Sequence, residues 1–294
     1  MNKRSRILAL VLGVMIIIVL ILLSLTPVFK GRSVILGDNE EKEVENEKGE
    51  TLNEELENEK EEIEGPLLSD NVVDISLGIN SLIHGDGARV KGSDIVIEKG
   101  GTYNISGELL NGTIYVDTIF DVLLKLNGVN ITSSKEAINI KGANVVLELA
   151  NNNFLDSNED GIVSNAAVDI KGDGQLLIHS LKSGLVSLDG VNVLGGDIII
   201  FSENKTLINE KSSQKGIDLS FKNVMNDIFK VELKKQDDTV LSGEAAESFH
   251  NIFFSSPKIN DDTYQVYKVN EQNIGEVVLN EVRASKSYNY YQDL

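Results

Sequence analysis

The chain has 294 residues, with 27 Lys and Arg against 46 Asp and Glu, and a formal net charge of −19. An acidic balance of this size argues against a nucleic-acid partner, because the phosphate backbone would be repelled. The sequence contains no cysteine, which excludes a disulfide framework, a thiol nucleophile and a cysteine-based zinc site.

The chain opens with a hydrophobic segment. Residues 7–25 form 19 uncharged, almost wholly apolar positions, which at about 1.5 Å per residue can cross a bilayer as a helix. Lys3, Arg4 and Arg6 precede it and favour a cytoplasmic N-terminus. We therefore predict a cytoplasmic stub and an uncleaved transmembrane signal-anchor helix within residues 1–30, with the rest of the chain on the extracellular side of the cell membrane. A cleaved signal sequence is the alternative.

Residues 31–66 form an acidic segment. Between Asp38 and Glu64 there are 14 acidic residues against three lysines, with almost no aromatic or β-branched residues. Such a composition cannot bury a core, so we predict a disordered, self-repelling stalk that holds the following domain away from the membrane. A short helix is the alternative.

An internal repeat dominates the rest of the sequence. One column of apolar residues has gaps of 24, 24, 23 and 22 residues: Ile114, Ile138, Ile162, Leu185 and Leu207. A second column has gaps of 23 residues: Val122, Val145, Val168 and Val191. A third has gaps of 24, 23 and 22 residues: Ile131, Leu155, Ile178 and Ile200. Each unit thus holds three short β-branched segments separated by turn residues, whereas a pair of helices would show a 3.6-residue period.

This pattern predicts an all-β fold, a single-stranded parallel β-helix with three strands per coil and about five coils between Ile95 and Ser213. Each column becomes a ladder of aliphatic side chains in the interior, because successive coils stack about 4.8 Å apart. Three glycines beside the first column suit tight corners: Gly112, Gly161 and Gly184.

The predicted β-helix domain spans residues 67–270. Residues 72–92 should cap the first coil, and residues 214–270 should form a β-rich C-terminal cap, because an open end would expose unpaired strand edges. Residues 271–294 then form a C-terminal tail.

Several motifs in the same order resemble a bacterial family, the carbohydrate-binding domain-containing proteins. They are Gly100–Asp117 (GGTYNISGELLNGTIYVD), Val122–Ser133 (VLLKLNGVNITS), Ala137–Lys141 (AINIK), Asp160–Ser164 (DGIVS) and Phe249–Tyr267 (FHNIFFSSPKINDDTYQVY). The resemblance implies a right-handed parallel β-helix exported by bacteria, which binds plant cell-wall or other acidic polysaccharides, with calcium at some corners. It also implies that Phe249–Tyr267 forms a closing β-hairpin.

One corner has the spacing of a calcium-binding loop. The segment 156–161 reads D-x-N-x-D-G and places oxygen ligands at alternate positions. Its twelfth position is Ala167, which excludes an EF-hand. Coil stacking adds one carboxylate from the preceding coil, so the candidate calcium ligands are Asp156, Asn158, Glu159, Asp160 and Glu136. In the alternative without metal, Lys135 and Lys182 neutralise these carboxylates.

A sugar platform usually combines an aromatic ring with polar side chains that bind hydroxyl groups. Tyr115 should face outward, whereas Tyr103 should be a core residue. The candidate carbohydrate-binding residues are Tyr115, Asn139, Lys135 and Lys182. Other outward positions are apolar and are therefore candidates for coverage by the C-terminal segment or by a partner: Val163, Val186, Ile208, Phe154, Leu177 and Ile199. The tyrosines at 288, 290 and 291 are a further possible glycan site, or a frayed terminus.

Catalysis is the rival function, because this fold often carries polysaccharide lyases. A lyase removes the proton next to a uronate carboxylate, which requires a strong base, often Arg. No arginine lies between Glu98 and Ser213. Lys135 and Lys182 are the suggestive substitutes, and His179 should point outward into solvent.

We therefore predict a membrane-anchored, extracellular, non-catalytic polysaccharide-binding protein. Its expected ligand is an acidic glycan such as polygalacturonate, or cellulose, with calcium as a possible cofactor. The alternatives are a structural or adhesive surface protein that binds another protein, and a weak polysaccharide lyase.

Overall fold

A computed structural model describes residues 70–226, 229–245, 248–268, 272–281 and 283–288. The predicted membrane segment 7–25 and the predicted acidic stalk 31–66 lie outside these residues. Within the described ranges, no helix is long and apolar enough to cross a membrane.

The described structure is built from β-strands. The N-terminal strands are β1 (Val72–Leu77), β2 (Leu82–His84), β3 (Ala88–Lys91) and β4 (Asp94–Ile97). The repeat region contains β5 (Gly101–Leu110), β6 (Ile114–Val116), β7 (Val122–Ser133), β8 (Ile138–Ile140), β9 (Val145–Ala150), β10 (Asn152–Ser157), β11 (Ile162–Ser164), β12 (Val168–Gly172), β13 (Gln175–Ser180), β14 (Leu185–Val193), β15 (Asp197–Ser202) and β16 (Leu207–Glu210). The C-terminal strands are β17 (Gly216–Asn226), β18 (Phe229–Lys235), β19 (Asp238–Ala245), β20 (Ser248–Ser255), β21 (Asp262–Lys268), β22 (Gln272–Leu279) and β23 (Arg283–Tyr288).

Strands β4 to β16 form a parallel β-solenoid of about five turns, as the repeat predicts. Each turn contributes to three faces. The first face contains β4, β6, β8, β11, the start of β14 and β16. The second face contains the starts of β5 and β7, then β9, β12 and the end of β14. The third face contains the ends of β5 and β7, then β10, β13 and β15.

The three predicted columns are confirmed in register. Ile114 pairs with Ile138 on the first face, and Val122 pairs with Val145 on the second. On the third face Ile131 pairs with Leu155, and Ile95 adds one more rung to the first column. All these side chains belong to one continuous buried cluster, so the interior is a stack of aliphatic ladders.

Tyr103 is buried within this core, as predicted. Its hydroxyl donates to the backbone oxygen of Lys99 at 2.7 Å and lies 3.2 Å from that of Gly87. Burial raises the pKa of the Tyr103 phenol to about 12, because the charged form would lose its hydration. The phenol therefore stays neutral inside the first coil.

The predicted corner glycines are needed because coils approach closely there. A Cβ atom on Gly184 would lie 2.2 Å from Cγ2 of Ile200 and 2.6 Å from the backbone oxygen of Thr206. At Gly112 it would lie 2.2 Å from the backbone oxygen of Ser93. These corners exclude larger residues through contact with the neighbouring coil.

Short hairpins close the N-terminal end, as predicted for residues 72–92. Strand β2 pairs antiparallel with β1, which itself lies parallel to β5. Strand β3 pairs antiparallel with β4, the first strand of the first face. The hairpins thus cover the starting edge of the solenoid.

The C-terminal cap is larger than predicted. Strand β20 pairs antiparallel with β15 and β17, and β17 pairs with β23. A separate antiparallel sheet has the order β19-β18-β21-β22. The cap therefore continues to Tyr288, through residues that sequence analysis places in a tail. The predicted hairpin within Phe249–Tyr267 is wrong, because β20 and β21 belong to different sheets.

The separate sheet packs on the outside of the third face. Ile199 and Phe201 are fully buried in a second hydrophobic cluster with cap residues, and Leu177 packs against that cluster. A Cβ atom on Gly243 of β19 would lie 3.0 Å from Cδ1 of Ile199. The C-terminal segment therefore covers this part of the third face, one of the alternatives that the sequence left open.

Candidate functional site

The first face presents one continuous outward column. It runs in register through Val96, Tyr115, Asn139, Val163, Val186 and Ile208. Each first-face strand contributes a single outward side chain to this column, because most of these strands are only three residues long. From Tyr115 onward the column is half-exposed. The first face is thus a narrow surface with a mainly apolar floor, with neighbouring side chains about 4.8 Å apart.

A cleft of about 200 Å³ opens where this column begins. Val96 and Tyr115 of the column take part in its lining. The charged residues of the lining are four cations and two carboxylates: Arg89, Lys91, Lys135, Lys141, Asp94 and Asp117. We refer to this site as the basic cleft, because four of its residues are cationic in a strongly acidic chain.

Two of the four cations are already paired. Arg89 Nε lies 2.8 Å from Glu98 Oε1, and Lys141 Nζ lies 2.8 Å from Asp117 Oδ2. Lys91 and Lys135 are exposed and have no ion pair among the described residues. The unpaired positive charge of the cleft lies at these two lysines, which line it together with Tyr115.

The structure brings some predicted sugar-binding residues together and separates others. Tyr115 and Lys135 line the basic cleft, and Asn139 is the next residue along the outward column. Lys182 instead lies at the acidic corner, where it pairs with Glu159. Tyr288 is paired through its backbone with Phe221, while residues 290 and 291 lie outside the described ranges.

Sequence reasoning missed Arg89, Lys91 and Lys141 as parts of this site. The first two lie on β3, which precedes the repeat and reaches the cleft only because β3 pairs with β4. Lys141 follows β8, and its position one coil beyond Asp117 is visible in the repeat. The 24-residue spacing of that pair is the signal that would have identified it.

Three of the five candidate calcium ligands are engaged by protein groups: Asp156, Glu159 and Asp160. Asp160 Oδ1 accepts a hydrogen bond of 2.8 Å from the backbone N–H of Ser183, and Glu159 pairs with Lys182. Asn158 is exposed at the same corner. In the described part of the chain, no group of three or more His, Asp or Glu side chains is arranged to hold a metal ion.

The ammonium group of Lys182 lies among the carboxylates of this corner. Its hydrogen bond to Glu159 and that residue's negative charge raise the pKa of the Lys182 ammonium. The charges of Asp160 and Glu136 act in the same direction. Lys182 thus places a positive charge beside these carboxylates, as in the alternative without metal.

The prediction that His179 is solvated is wrong. His179 is outward in register but only 2% exposed, because it pairs in the ladder with Phe201 under the C-terminal cap. Its Nδ1 lies 2.9 Å from Asp156 Oδ1, so this candidate calcium ligand is hydrogen-bonded to a buried imidazole. The Nε2 atom has no hydrogen-bond partner among the described residues.

Comparisons with known proteins agree with the resemblance read from the motifs. Residues 91–212 match the family model described as "Carbohydrate-binding domain-containing protein". A curated relative with that description, from Acetivibrio thermocellus, is 33% identical over 135 residues. The match covers 39% of this chain and 47% of that protein, so the chain spans about half the length of the curated relative.

Among solved structures, the chain is similar to the polysaccharide lyase-like protein from C. thermocellum, solved as a gadolinium derivative. The two are 21% identical, with a TM-score of 0.37, over 52% of this chain and 86% of that chain. The family model and the curated relative confirm the resemblance to the carbohydrate-binding family, and the family model locates it in the solenoid.

Proposed function

We propose that this chain, whose solenoid matches the carbohydrate-binding domain family, binds an acidic polysaccharide along its first face. The observation that carries this proposal is the basic cleft, where two unpaired lysines flank an outward tyrosine on an otherwise acidic domain. Because the net charge of the chain is −19, a local excess of positive charge favours anionic ligands at the basic cleft over the acidic surface around it.

The residues of the basic cleft and the neighbouring Asn139 would contact different groups of the glycan. The ammonium groups of Lys91 and Lys135 pair with uronate carboxylates, which are the charged groups of an acidic glycan. The half-exposed ring of Tyr115 packs on the apolar face of a sugar ring. The side-chain amide of Asn139, one coil further along, donates to and accepts from hydroxyl groups.

The remaining outward column extends this surface beyond the cleft. Val163, Val186 and Ile208 offer half-exposed apolar contacts at successive coil spacings. A glycan chain parallel to the solenoid axis would place its sugar rings on these side chains in turn. We propose polygalacturonate-type chains as the ligand class, with cellulose as the uncharged comparison.

We propose that binding does not require calcium. Three of the five candidate ligands already have protein partners, because Glu159 pairs with Lys182, Asp160 accepts from Ser183, and Asp156 is hydrogen-bonded to His179. A calcium requirement stays a prediction that chelation can test.

We also propose that the domain acts outside the cell, tethered to the membrane by residues 7–25 and extended by the acidic segment. The proposed role is binding without catalysis. One observation favours a lyase as a second candidate, because Arg89 lies in the basic cleft although no arginine lies within the repeat. Its Nε is paired with Glu98, which reduces its capacity to act as a base.

The test is calorimetric titration of the full chain, in detergent micelles, with oligogalacturonate and with cello-oligosaccharide. We expect oligogalacturonate to bind in the presence of EDTA, and its affinity to fall with added salt. The double variant Lys91→Ala/Lys135→Ala should weaken binding at least about tenfold, whereas Lys222→Ala, an exposed lysine of β17, should not.

If oligogalacturonate does not bind, the proposal is overturned. Unsaturated product absorbing in the ultraviolet would instead establish the lyase. If calcium were required, EDTA would abolish binding that the untreated protein shows.

A further inference from the structure

The first coil of the solenoid lacks its third-face strand. Strand β1 lies on the second face beside the start of β5, and β4 lies on the first face beside β6. In each later coil the chain crosses the third face between these two positions. Residues 78–93 instead form β2 and β3, which fold back on β1 and β4. The third face therefore begins later than the other two faces, at the end of β5.

The last residues of β5 consequently have an open edge. The register between β1 and β5 ends at Gly107, and on that side no described strand pairs with Glu108, Leu109 or Leu110. On the other side the same three residues pair with β7. An open strand edge offers its backbone N–H and C=O groups to another strand.

A recess of about 450 Å³ lies over this edge, and we refer to it as the strand recess. One wall is the turn 78–81 between β1 and β2, and the other includes Val90 and Ser93 of the β3–β4 hairpin. Its lining is rich in exposed apolar side chains, because Ile79 is 96% exposed, Leu110 54% and Val90 43%. A strand placed in the recess would remove this apolar surface from water.

Hydrogen bonds fix both walls. The hydroxyl of Ser81 accepts from the backbone N–H of Gly78 at 3.2 Å and donates to the backbone oxygen of Gly78 at 3.1 Å. The hydroxyl of Ser93 donates to the backbone oxygen of Asn111 at 2.8 Å, which ties the second turn to the corner after β5. The strand recess is thus preformed, which lowers the entropic cost of filling it.

The opposite end of the same face protrudes. After β15, the last third-face strand of the solenoid, β20, β17 and β23 continue the sheet in that order. Three strands add roughly 14 Å to the third face. Strand β23 is the outermost, and in the described part of the chain it pairs with β17 alone. The third face therefore ends in a second open edge.

Strand β23 runs in the same direction as β5. Because β20 is antiparallel to β15, β17 is antiparallel to β20 and β23 is parallel to β17, the direction of the third-face strands is restored at β23. This strand is also anchored. Arg283 Nε lies 2.7 Å from Glu210 Oε2, and the guanidinium carbon lies 4.7 Å from the centroid of the Phe253 ring.

We infer that the strand recess takes β23 of a second copy of this chain, so that copies associate head to tail. Parallel pairing of β23 with the end of β5 continues the third-face sheet from one copy into the next, in the direction and at the spacing of the solenoid's own strands. The protrusion is three strands long, whereas the recess is two strands deep beside β4 and β3. The other two faces of the copies therefore stay about 4.8 Å further apart than paired strands, without collision. The contact is heterologous, so it builds an open chain of copies.

This association leaves the basic cleft accessible. Arg89 and Lys91 line the cleft, whereas Val90 between them lines the strand recess. Successive copies would present one basic cleft each along a common axis. The inference does not depend on the proposed function, because it is argued from strand edges and not from ligand chemistry.

The first experiment is disulfide cross-linking, for which the chain is suited because it contains no cysteine. Leu110→Cys marks the strand recess and Ser285→Cys marks β23, and both residues are exposed. The two full-length variants are mixed in detergent micelles, with micelles in excess over chains, and oxidised. We expect a covalent dimer that contains one copy of each variant. Leu188→Cys, at an exposed leucine between the first and second faces, should give no dimer with Ser285→Cys.

The second experiment measures self-association of the full chain by sedimentation velocity in the same micelles. Leu110→Lys places a charge at the open edge, as natural sheets do to prevent edge pairing, and should weaken self-association at least about tenfold. Leu188→Lys changes a similarly exposed leucine and should not. Both variants should keep the affinity of the parent chain for oligogalacturonate.

The alternative outcomes overturn the inference. Dimers that join Leu110→Cys to itself would indicate head-to-head contact, and dimers that join Ser285→Cys to itself would indicate tail-to-tail contact. A chain that stays monomeric at every concentration, or association that Leu110→Lys leaves unchanged, would show that the strand recess does not take a second copy. Oligogalacturonate binding is measured separately, so each of these results leaves the proposed function standing.

Discussion

The first and third faces of the solenoid have similar patterns of outward apolar side chains, but the C-terminal sheet covers only the third face in part. On the third face, Phe154, Leu177 and Ile199 form an apolar outward column, and its far end is buried beneath the C-terminal sheet. On the first face, Val163, Val186 and Ile208 remain half-exposed. The comparison shows that an apolar outward pattern alone does not determine whether a column is covered, and that the position of the cap does.

The largest effect should come from truncating the covered face. Phe201→Ala removes a fully buried ring that lies 5.0 Å from the ring of Phe249, so the free energy of unfolding should fall by about 3–5 kcal/mol. Val186→Ala on the open first face should cost much less, because its side chain already contacts solvent. Urea denaturation of both variants checks this. Equal losses would show that the first face is also covered.

A second substitution should separate the cap from the third face. Gly243→Leu places a side chain where a Cβ already lies 3.0 Å from Ile199 and 3.2 Å from Leu177. Overpacking of this kind should cost about 1–3 kcal/mol and expose the second hydrophobic cluster. Urea denaturation gives the cost, and binding of a hydrophobic dye reports the exposure. Unchanged stability and dye binding would mean that the cap is loosely placed on this face.

The free energy of unfolding should depend on pH through Tyr103 in the interior of the solenoid. The pKa of Tyr103 is raised from 10.0 to about 12, so the folded state holds its proton more tightly than the unfolded state. This contribution is fully present below pH 10 and is lost as the pH rises towards 12. Tyr103→Phe should therefore reduce the alkaline loss of stability relative to the parent chain, as measured by urea midpoints across this range. An identical loss in both proteins would place Tyr103 outside the core.

The smallest effect concerns the acidic corner between the third and first faces. EDTA should leave the thermal midpoint of the parent chain unchanged, because Lys182 already neutralises Glu159 and its neighbours. Lys182→Ala leaves those carboxylates without this charge, and added calcium should then raise the midpoint by a few degrees. Lys222→Ala serves as the control. A fall in the parent midpoint with EDTA would establish a native calcium site.

Some features of the candidate site were predictable and others were not. The outward position of Tyr115 follows from strand alternation, and its neighbour Asn139 follows from the repeat. Arg89 and Lys91 were missed because a hairpin outside the repeat brings them to the cleft. The burial of His179 was missed because the residues that cover it lie far along the chain.

The sequence by itself determined the solenoid, because a period of 22 to 24 residues with three branched columns is satisfied only when equivalent positions stack. It also determined which side chains point inward and where coils approach too closely for a Cβ. Only the tertiary structure decided which outward columns stay open. That outcome depends on where β17 to β23 pack, and antiparallel pairing of β20 with β15 directs them to the third face. Periodicity describes what repeats within a coil, whereas the cap is built from contacts that occur once.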